Sequence, residues 1–174
     1  MIKVKTLETK RLLLKPTDVE DSSFIFELVN MPKWSEFIGD RCVNSIDDAN
    51  LYIVEKIRPQ IEKIGYGNYT VILKSEGHKI GTCGLYDREG LEGVDIGFAF
   101  LPEYEGQGYA FEGSQKLLEV GFTNLAIEKV NAITLPSNIA SQKLLEKLGL
   151  RFVKRVKLPH DDNELMLYQV TVSN

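Results

Sequence analysis

Residues 104–113 read Tyr-Glu-Gly-Gln-Gly-Tyr-Ala-Phe-Glu-Gly. Gly106 and Gly108 stand one residue apart, just ahead of a run with helical spacing. The first turn of a helix has about four backbone N–H groups without intrahelical partners, and it carries partial positive charge. Glycine lets a ligand approach the backbone closely, because no Cβ intervenes. Together these features make a cradle for an anion such as phosphate. The alternative is a turn that only joins a strand to a helix. Spacing argues against two common phosphate loops. No Gly-Lys-Ser/Thr follows, and the third glycine of a dinucleotide fingerprint would fall at Phe111.

Composition narrows the setting. The 174 residues suit one domain, and 43% hydrophobic content supplies a core. The net charge of −4 gives no general attraction for nucleic acid or an anionic membrane surface. No apolar run reaches the roughly 18 residues that a bilayer span needs. The opening MIKVKTLETKR lacks the apolar core of a secretory signal. Cys42 and Cys83 lie far apart and form no CxxC motif, so a reducing cytoplasm is expected. His78 and His160 are equally separated, and no metal site is expected.

The elements that must position the glycine loop follow from periodicity. Leu12 to Leu14, ended by Lys15-Pro16, reads as a first strand. Asp18 to Asn30 reads as a helix broken at Met31-Pro32. Ser45 and Asp48 resemble a capping box. They open a second helix carrying Leu51, Val54 and Ile57, which Pro59 should kink or interrupt. Tyr69 to Leu73, Lys79 to Tyr86 and Val94 to Phe100 read as an antiparallel meander. A long helix spans about Gly108 to Leu125, with Leu117, Leu118 and Phe122 on one face. Lys129 to Leu135 is a strand, and Asn138 to Leu148 a helix stopped by Gly149. Phe152 to Lys157 and Leu165 to Val170 read as a closing strand pair.

Three motifs in this order resemble one family. Glu105-Gly106-Gln107-Gly108-Tyr109-Ala110 resembles the pyrophosphate-binding loop of the GCN5-related N-acetyltransferases (GNAT), usually Gln/Arg-x-x-Gly-x-Gly/Ala. Glu105 departs from the usual Gln or Arg. Residues Leu7 to Pro16 look like the first strand of the RimJ/RimL-like subfamily, which acetylates ribosomal-protein N-termini. Asn138-Ile139-Ala140-Ser141, followed by Leu144 to Gly149, looks like its last-helix signature. The resemblance implies one α/β N-acetyltransferase domain over residues 1–174. Its sheet would be mixed but mostly antiparallel, flanked by helices, with a splayed cofactor cleft.

The resemblance also implies acetyl-coenzyme A as co-substrate and no metal. Backbone groups around Gly106, Gly108, Tyr109 and Ala110 would hold the pyrophosphate. The strand Asp95 to Phe100 would splay from its neighbour at a bulge, leaving Phe98 and Phe100 to pair with the pantetheine arm as an added strand does. A backbone N–H near Phe98 would polarise the thioester carbonyl. Asn138 would cap its helix and touch the cofactor arm. Relatives often place a tyrosine where this chain has Leu145, so Ser141 is the candidate proton donor to the thiolate. Asp95 is the candidate base. Glu92, His160 and Glu164 are further groups near the acceptor end, and Glu112 reads as a helix-dipole partner. Trp34 and Phe37 are candidates for the acceptor pocket.

The acceptor stays open between a protein N-terminal α-amine and a small amine or amino acid. An α-amine, with a pKa of about 7.7–8, costs only about 1 kcal/mol to neutralise at pH 7, against about 4.6 for a lysine amine. A weak base therefore suits an α-amine. The chain is expected as a monomer or homodimer, with no nucleic-acid or membrane partner. The readings that compete with an enzyme are a catalytically silent acyl-coenzyme A sensor or regulatory protein, and a nucleotide-binding module.

Overall fold

The computed structural model describes residues 5–172. Strands β1 (Leu7–Glu8) and β2 (Leu12–Pro16) open the chain. A 3-10 turn then leads into a helical layer of α1 (Ser22–Val29), α2 (Pro32–Phe37), α3 (Ile46–Tyr52) and α4 (Arg58–Ile64). The meander follows as β3 (Asn68–Leu73), β4 (His78–Asp87) and β5 (Val94–Phe100). Helix α5 (Tyr109–Asn124), β6 (Lys129–Thr134), α6 (Ile139–Lys147), β7 (Arg151–Val156) and β8 (Leu165–Thr171) complete it. The expected helices and strands are present. The short β1 and α2 are additional, and Pro32 begins α2 where a helix break was expected. Proline suits that place, because the first helical N–H has no intrahelical partner to lose.

The eight strands form one sheet in the order β1-β2-β3-β4-β5-β6-β8-β7. Every pairing is antiparallel except β5 with β6, whose crossover is α5. The main core lies between the sheet and α5 and α6, around Leu12, Val71, Leu85, Leu117, Val130 and Leu145. A second core gathers Phe24, Ile25, Leu28, Ala49, Ile53 and Ile57 beneath the helical layer.

That layer corrects one expectation. Ala49, Ile53 and Ile57 are its buried row, whereas Leu51 and Val54 are exposed. Ser45 caps α3 by accepting from the Asp48 N–H at 3.0 Å, but the Asp48 carboxylate takes the Asn44 N–H rather than that of Ser45. Ahead of Pro59 the chain widens into a π-helical turn, Ile53–Ile57, closed by Arg58 N–H to the Ile53 carbonyl. Pro59 thus sits in the first turn of α4 without breaking an established ladder. From α4, the Gln60 amide donates to the Tyr66 and Leu85 carbonyls at 3.1 and 2.9 Å.

The β5–β6 pair stops almost as soon as it starts. Its register holds only at Val94↔Val130 and Asp95↔Asn131. Beyond that point β5 stays with β4 as far as Gly81↔Phe100, and β6 stays with β8 as far as Thr134↔Met166. The splay needs no bulge, contrary to expectation. The β4–β5 register is unbroken, and the sheet's two register shifts lie in β3–β4 and β7–β8. Each strand follows its antiparallel neighbour, and a wedge opens between them.

Asn131 fastens the apex. It is fully buried, its amide donates to the Glu92 carbonyl at 2.8 Å, and its oxygen accepts from Gln169 at 2.8 Å. Asn131→Leu would remove both bonds; water can reach the exposed Glu92 and the half-buried Gln169, so each loss costs about the net value of a hydrogen bond, about 0.5–1.5 kcal/mol. Urea unfolding should show the variant losing about 1–3 kcal/mol of stability.

Candidate active site

The wedge continues into a cleft of about 1560 Å³. A single small-ligand pocket spans roughly 300–1,000 Å³, so this cleft has room for two reactants. Trp34, Phe37, Asp95, Phe98, Phe100, Gly106, Gly108, Tyr109, Ala110, Asn138 and Ser141 all line it. From the loop after β7, Leu158 and Asp161 reach the cleft, whereas His160 and Glu164 do not. Glu164 instead faces Arg155, at 3.5 Å. Glu92 contributes only its carbonyl to Asn131. Among the described residues no three His, Cys, Asp or Glu gather as metal ligands.

Backbone direction along β5 follows from one bond. The Leu101 N–H donates to the Ile80 carbonyl at 2.9 Å. Hydrogen-bonded residues alternate along an antiparallel pair. Asp95, Gly97 and Ala99 therefore turn their backbone groups to β4. Ile96, Phe98 and Phe100 turn theirs toward β6, which has departed by then. The Phe98 and Phe100 side chains pack on the main core, so these residues offer the wedge their backbone.

The glycine loop lies at the open end. Gly106 and Gly108 have φ of 73° and 83°, which L side chains rarely adopt. A Cβ at Gly106 would meet nothing within 4 Å, and one at Gly108 only an Arg11 guanidinium nitrogen, at 3.2 Å. The N–H groups of residues 106–111 have no protein acceptor among the described residues; the helix's own bonding starts with Glu112 N–H to the Gly108 carbonyl. Six consecutive free donors at a helix N-terminus form a site for a polyanion.

Sequence reading missed what holds this loop. Arg11 reaches across from the start of β2. Its Nε donates to Glu112 at 2.6 Å, one Nη donates to the Gln107 carbonyl at 3.0 Å, and its guanidinium lies 4.4 Å from the Tyr109 ring centroid. Glu112 also accepts from the Thr9 hydroxyl at 2.6 Å and the Arg11 N–H at 2.8 Å. It is a structural clamp as well as a helix-dipole partner. Glu105, where the motif usually has Gln or Arg, is paired with Lys33 of α2. Only the long-range contacts reveal these roles; the one signal in the sequence was the Thr9-Lys10-Arg11 approach to β2.

At the start of α6, the Asn138 side chain accepts the Ser141 N–H at 3.2 Å, as a cap does. The Ser141 hydroxyl, half-buried in the cleft, makes no hydrogen bond within the described chain. Leu145 is buried in the core. Asp95 is 1% exposed, and its Oδ2 accepts from Arg88 Nε at 3.0 Å. Burial pushes its carboxyl above the usual range, although the Arg88 charge and hydrogen bond pull the other way.

A family model described as an acetyltransferase (GNAT) domain matches residues 11–151. The chain belongs to the GNAT acetyltransferases. This GNAT enzyme is 30% identical over 145 residues to an uncharacterized N-acetyltransferase, YnaD, of Bacillus subtilis (strain 168), covering 83% of this chain and 82% of that one. Its fold is similar to an acetyltransferase from Agrobacterium tumefaciens str. C58, with a TM-score of 0.82 at 22% identity over 99% of this chain and 97% of that one. It is also similar to RimL, a ribosomal L7/L12 alpha-N-protein acetyltransferase in complex with coenzyme A. There the TM-score is 0.76 at 15% identity, over 97% of this chain and 98% of that one. The GNAT chain is thus an acyltransferase, and no helix among its described residues is long and apolar enough to cross a membrane.

The clamp of this GNAT enzyme should be acid-sensitive. Burial raises the Glu112 pKa, but hydrogen bonds from Thr9 and Arg11 and the Arg11 charge outweigh it and hold the carboxyl below its ordinary value. Its contribution is therefore full above the unfolded pKa, about 4.3, and is lost as pH falls through the lower folded value. Glu112→Gln should cost on the order of 1–2 kcal/mol at pH 7. Urea midpoints for both proteins should converge as the buffer is taken into that acid range.

Proposed function

We propose that this enzyme transfers acetyl from acetyl-coenzyme A to a primary amine by direct attack, with both reactants in the cleft. The observation that carries the reading is the row of unpaired N–H groups at residues 106–111, opening onto the wedge beside Phe98 and Phe100. A pyrophosphate fits those donors, and an amide-bearing arm fits the free backbone edge of β5. The acceptor enters from the helical layer, past Trp34 and Phe37. Likeness to RimL supports kinship with the RimJ/RimL-like subfamily in fold and cofactor, with the acceptor left to the cleft's own residues, and that protein's coenzyme A complex supports the cofactor. Free Cys42 and Cys83 suit the cytoplasm. Residues 1–174 act as one catalytic domain.

Acetyl-coenzyme A supplies an activated acyl group. The chain's residues do the rest. The Phe98 N–H donates to the acetyl oxygen as charge gathers there. Asp95 takes the proton that the amine releases as its nitrogen bonds to the acetyl carbon. Its raised pKa brings it nearer to that of an α-amine. As the carbon–sulfur bond breaks, the Ser141 hydroxyl gives its proton to the sulfur and recovers one from solvent. Asn138 keeps Ser141 at the first turn of α6.

A thermal-shift titration with acetyl-coenzyme A, ATP and NAD side by side tests the cofactor. A ligand of the folded state raises its stability by mass action. Acetyl-coenzyme A alone should raise Tm, and Gly108→Trp should abolish the rise; because the positive φ at Gly108 lowers the variant's own Tm, the readout is the shift on adding ligand to the folded variant. A shift only with a nucleotide would sink the reading. Ser141→Ala should lower kcat by about tenfold to a hundredfold, within the range of general-acid contributions, and leave cofactor affinity nearly unchanged. Steady-state thiol release reads this; an unaltered kcat would return Ser141 to a packing role.

A further inference from the structure

Three side-chain atoms among the described residues are buried without a hydrogen bond: Trp34 Nε1, Ser114 Oγ and Asp95 Oδ1. Asp95 lines the cleft at the apex of the wedge, in the last β5–β6 pair, and its Oδ1 is buried there behind the cleft wall. A buried carboxylate oxygen without a donor costs about 1–3 kcal/mol. Beside it stands Arg88, half-buried and lining the same cleft. Arg88 spends only Nε on Asp95; its two terminal nitrogens have no acceptor among the described residues. One open acceptor and an open fork of donors thus stand side by side.

The floor next to them is closed. Tyr86 is the cross-strand partner of Asp95 and shares its sheet face. Its ring lies across Gly84 and Gly97, where added Cβ atoms would come within 2.6 and 3.0 Å of it. Its hydroxyl is committed to Asn68 Oδ1. An acceptor resting here meets an aromatic plate with no free polar group, so its polar atoms must face Arg88 and Asp95. Exposed Asp40, Asp87 and Glu89 and half-buried Asp161 line the cleft as well, against exposed Arg41 and Lys56. The mouth carries charges of both signs, and solvent screens the exposed ones more than the half-buried Arg88.

We infer that Arg88 and Asp95 form a paired acceptor site for an amine with a carboxylate on the neighbouring carbon, that is, a free α-amino acid. The amine donates to Asp95 Oδ1, and the carboxylate accepts from the terminal nitrogens of Arg88. An ionised carboxylate gains a charge-assisted, two-point contact there that an amide carbonyl or a bare alkyl amine lacks. The inference rests on the acetyl-transfer reading and narrows its acceptor.

The test compares the common L-amino acids with their carboxamides and their decarboxylated amines. Thiol release gives kcat/KM, and calorimetry on the coenzyme A-loaded protein gives acceptor affinity without turnover. At least one amino acid should exceed both of its analogues by tenfold or more. Arg88→Gln should bring that ratio close to one, and Arg88→Lys should restore part of it. Amides, peptides or plain amines that match or exceed the amino acids would overturn the inference, and so would a ratio unmoved in Arg88→Gln. Coenzyme A bound with none of the amino acids bound or acetylated would overturn it as well. A wild-type protein that does not bind coenzyme A in the same calorimeter would instead bring down the acetyl-transfer reading beneath it.

Discussion

The structure turns on where one parallel strand pair ends. Two parallel strands that stayed together would satisfy each other's backbone groups and leave a continuous sheet. Here β5 and β6 are each bound more extensively to an antiparallel neighbour, and they share only two register pairs. The released edge of β5 keeps its donors and acceptors but has lost its partner. Buried backbone groups need partners, so an opening of this kind calls for water or a ligand of matching amide chemistry. The fold thus creates a binding edge inside the sheet rather than on an outer strand.

The glycine loop gains its shape from distant residues. Its free N–H groups cannot hold themselves in place, because none is bonded among the described residues. Arg11 and Glu112 supply the fixed frame, tying the carbonyl side of Gln107 and the first turn of α5 to the entrance of β2. The Lys33–Glu105 pair adds a link from the loop to α2, whose Trp34 and Phe37 line the other side of the cleft. Loop order and the acceptor side are therefore mechanically connected, although the exposed pair is a weak strut compared with the Arg11 clamp.

Much of this was legible in the sequence, for physical reasons. Alternation marked the meander, and Val94 to Phe100 was bounded correctly because turn residues flank a compact apolar run. Gly106 and Gly108 announced themselves, since positive φ demands residues of their kind. Asn138 was visible as a cap. Short elements were not: β1 has two residues and α2 six, too few for a period to emerge. Leu51 and Val54 misled because apolar spacing cannot reveal a π-helical turn, which resets the phase. Arg11, Arg88 and Tyr86 were missed as site residues because their partners lie far along the chain or across the sheet. A carboxylate's neighbours, not its position in a motif, decide whether it has a free oxygen.

The π-helical turn constrains how this family member can vary in length. Its wider turn absorbs one extra residue, so the downstream helix keeps its phase with α3: Gln60 reaches the Tyr66 and Leu85 carbonyls while Ile57 remains inside. The wide turn takes up one extra residue, so removing one residue between positions 53 and 57 would restore ordinary helical winding and keep the Gln60 face on the sheet, whereas removing one from the α-helical stretch of α3 would swing that face by about 100°. Insertions or deletions in this segment are therefore quantised. Loss of the one extra residue of the wide turn keeps the helical layer seated on the sheet, and a single-residue change outside that turn unseats it.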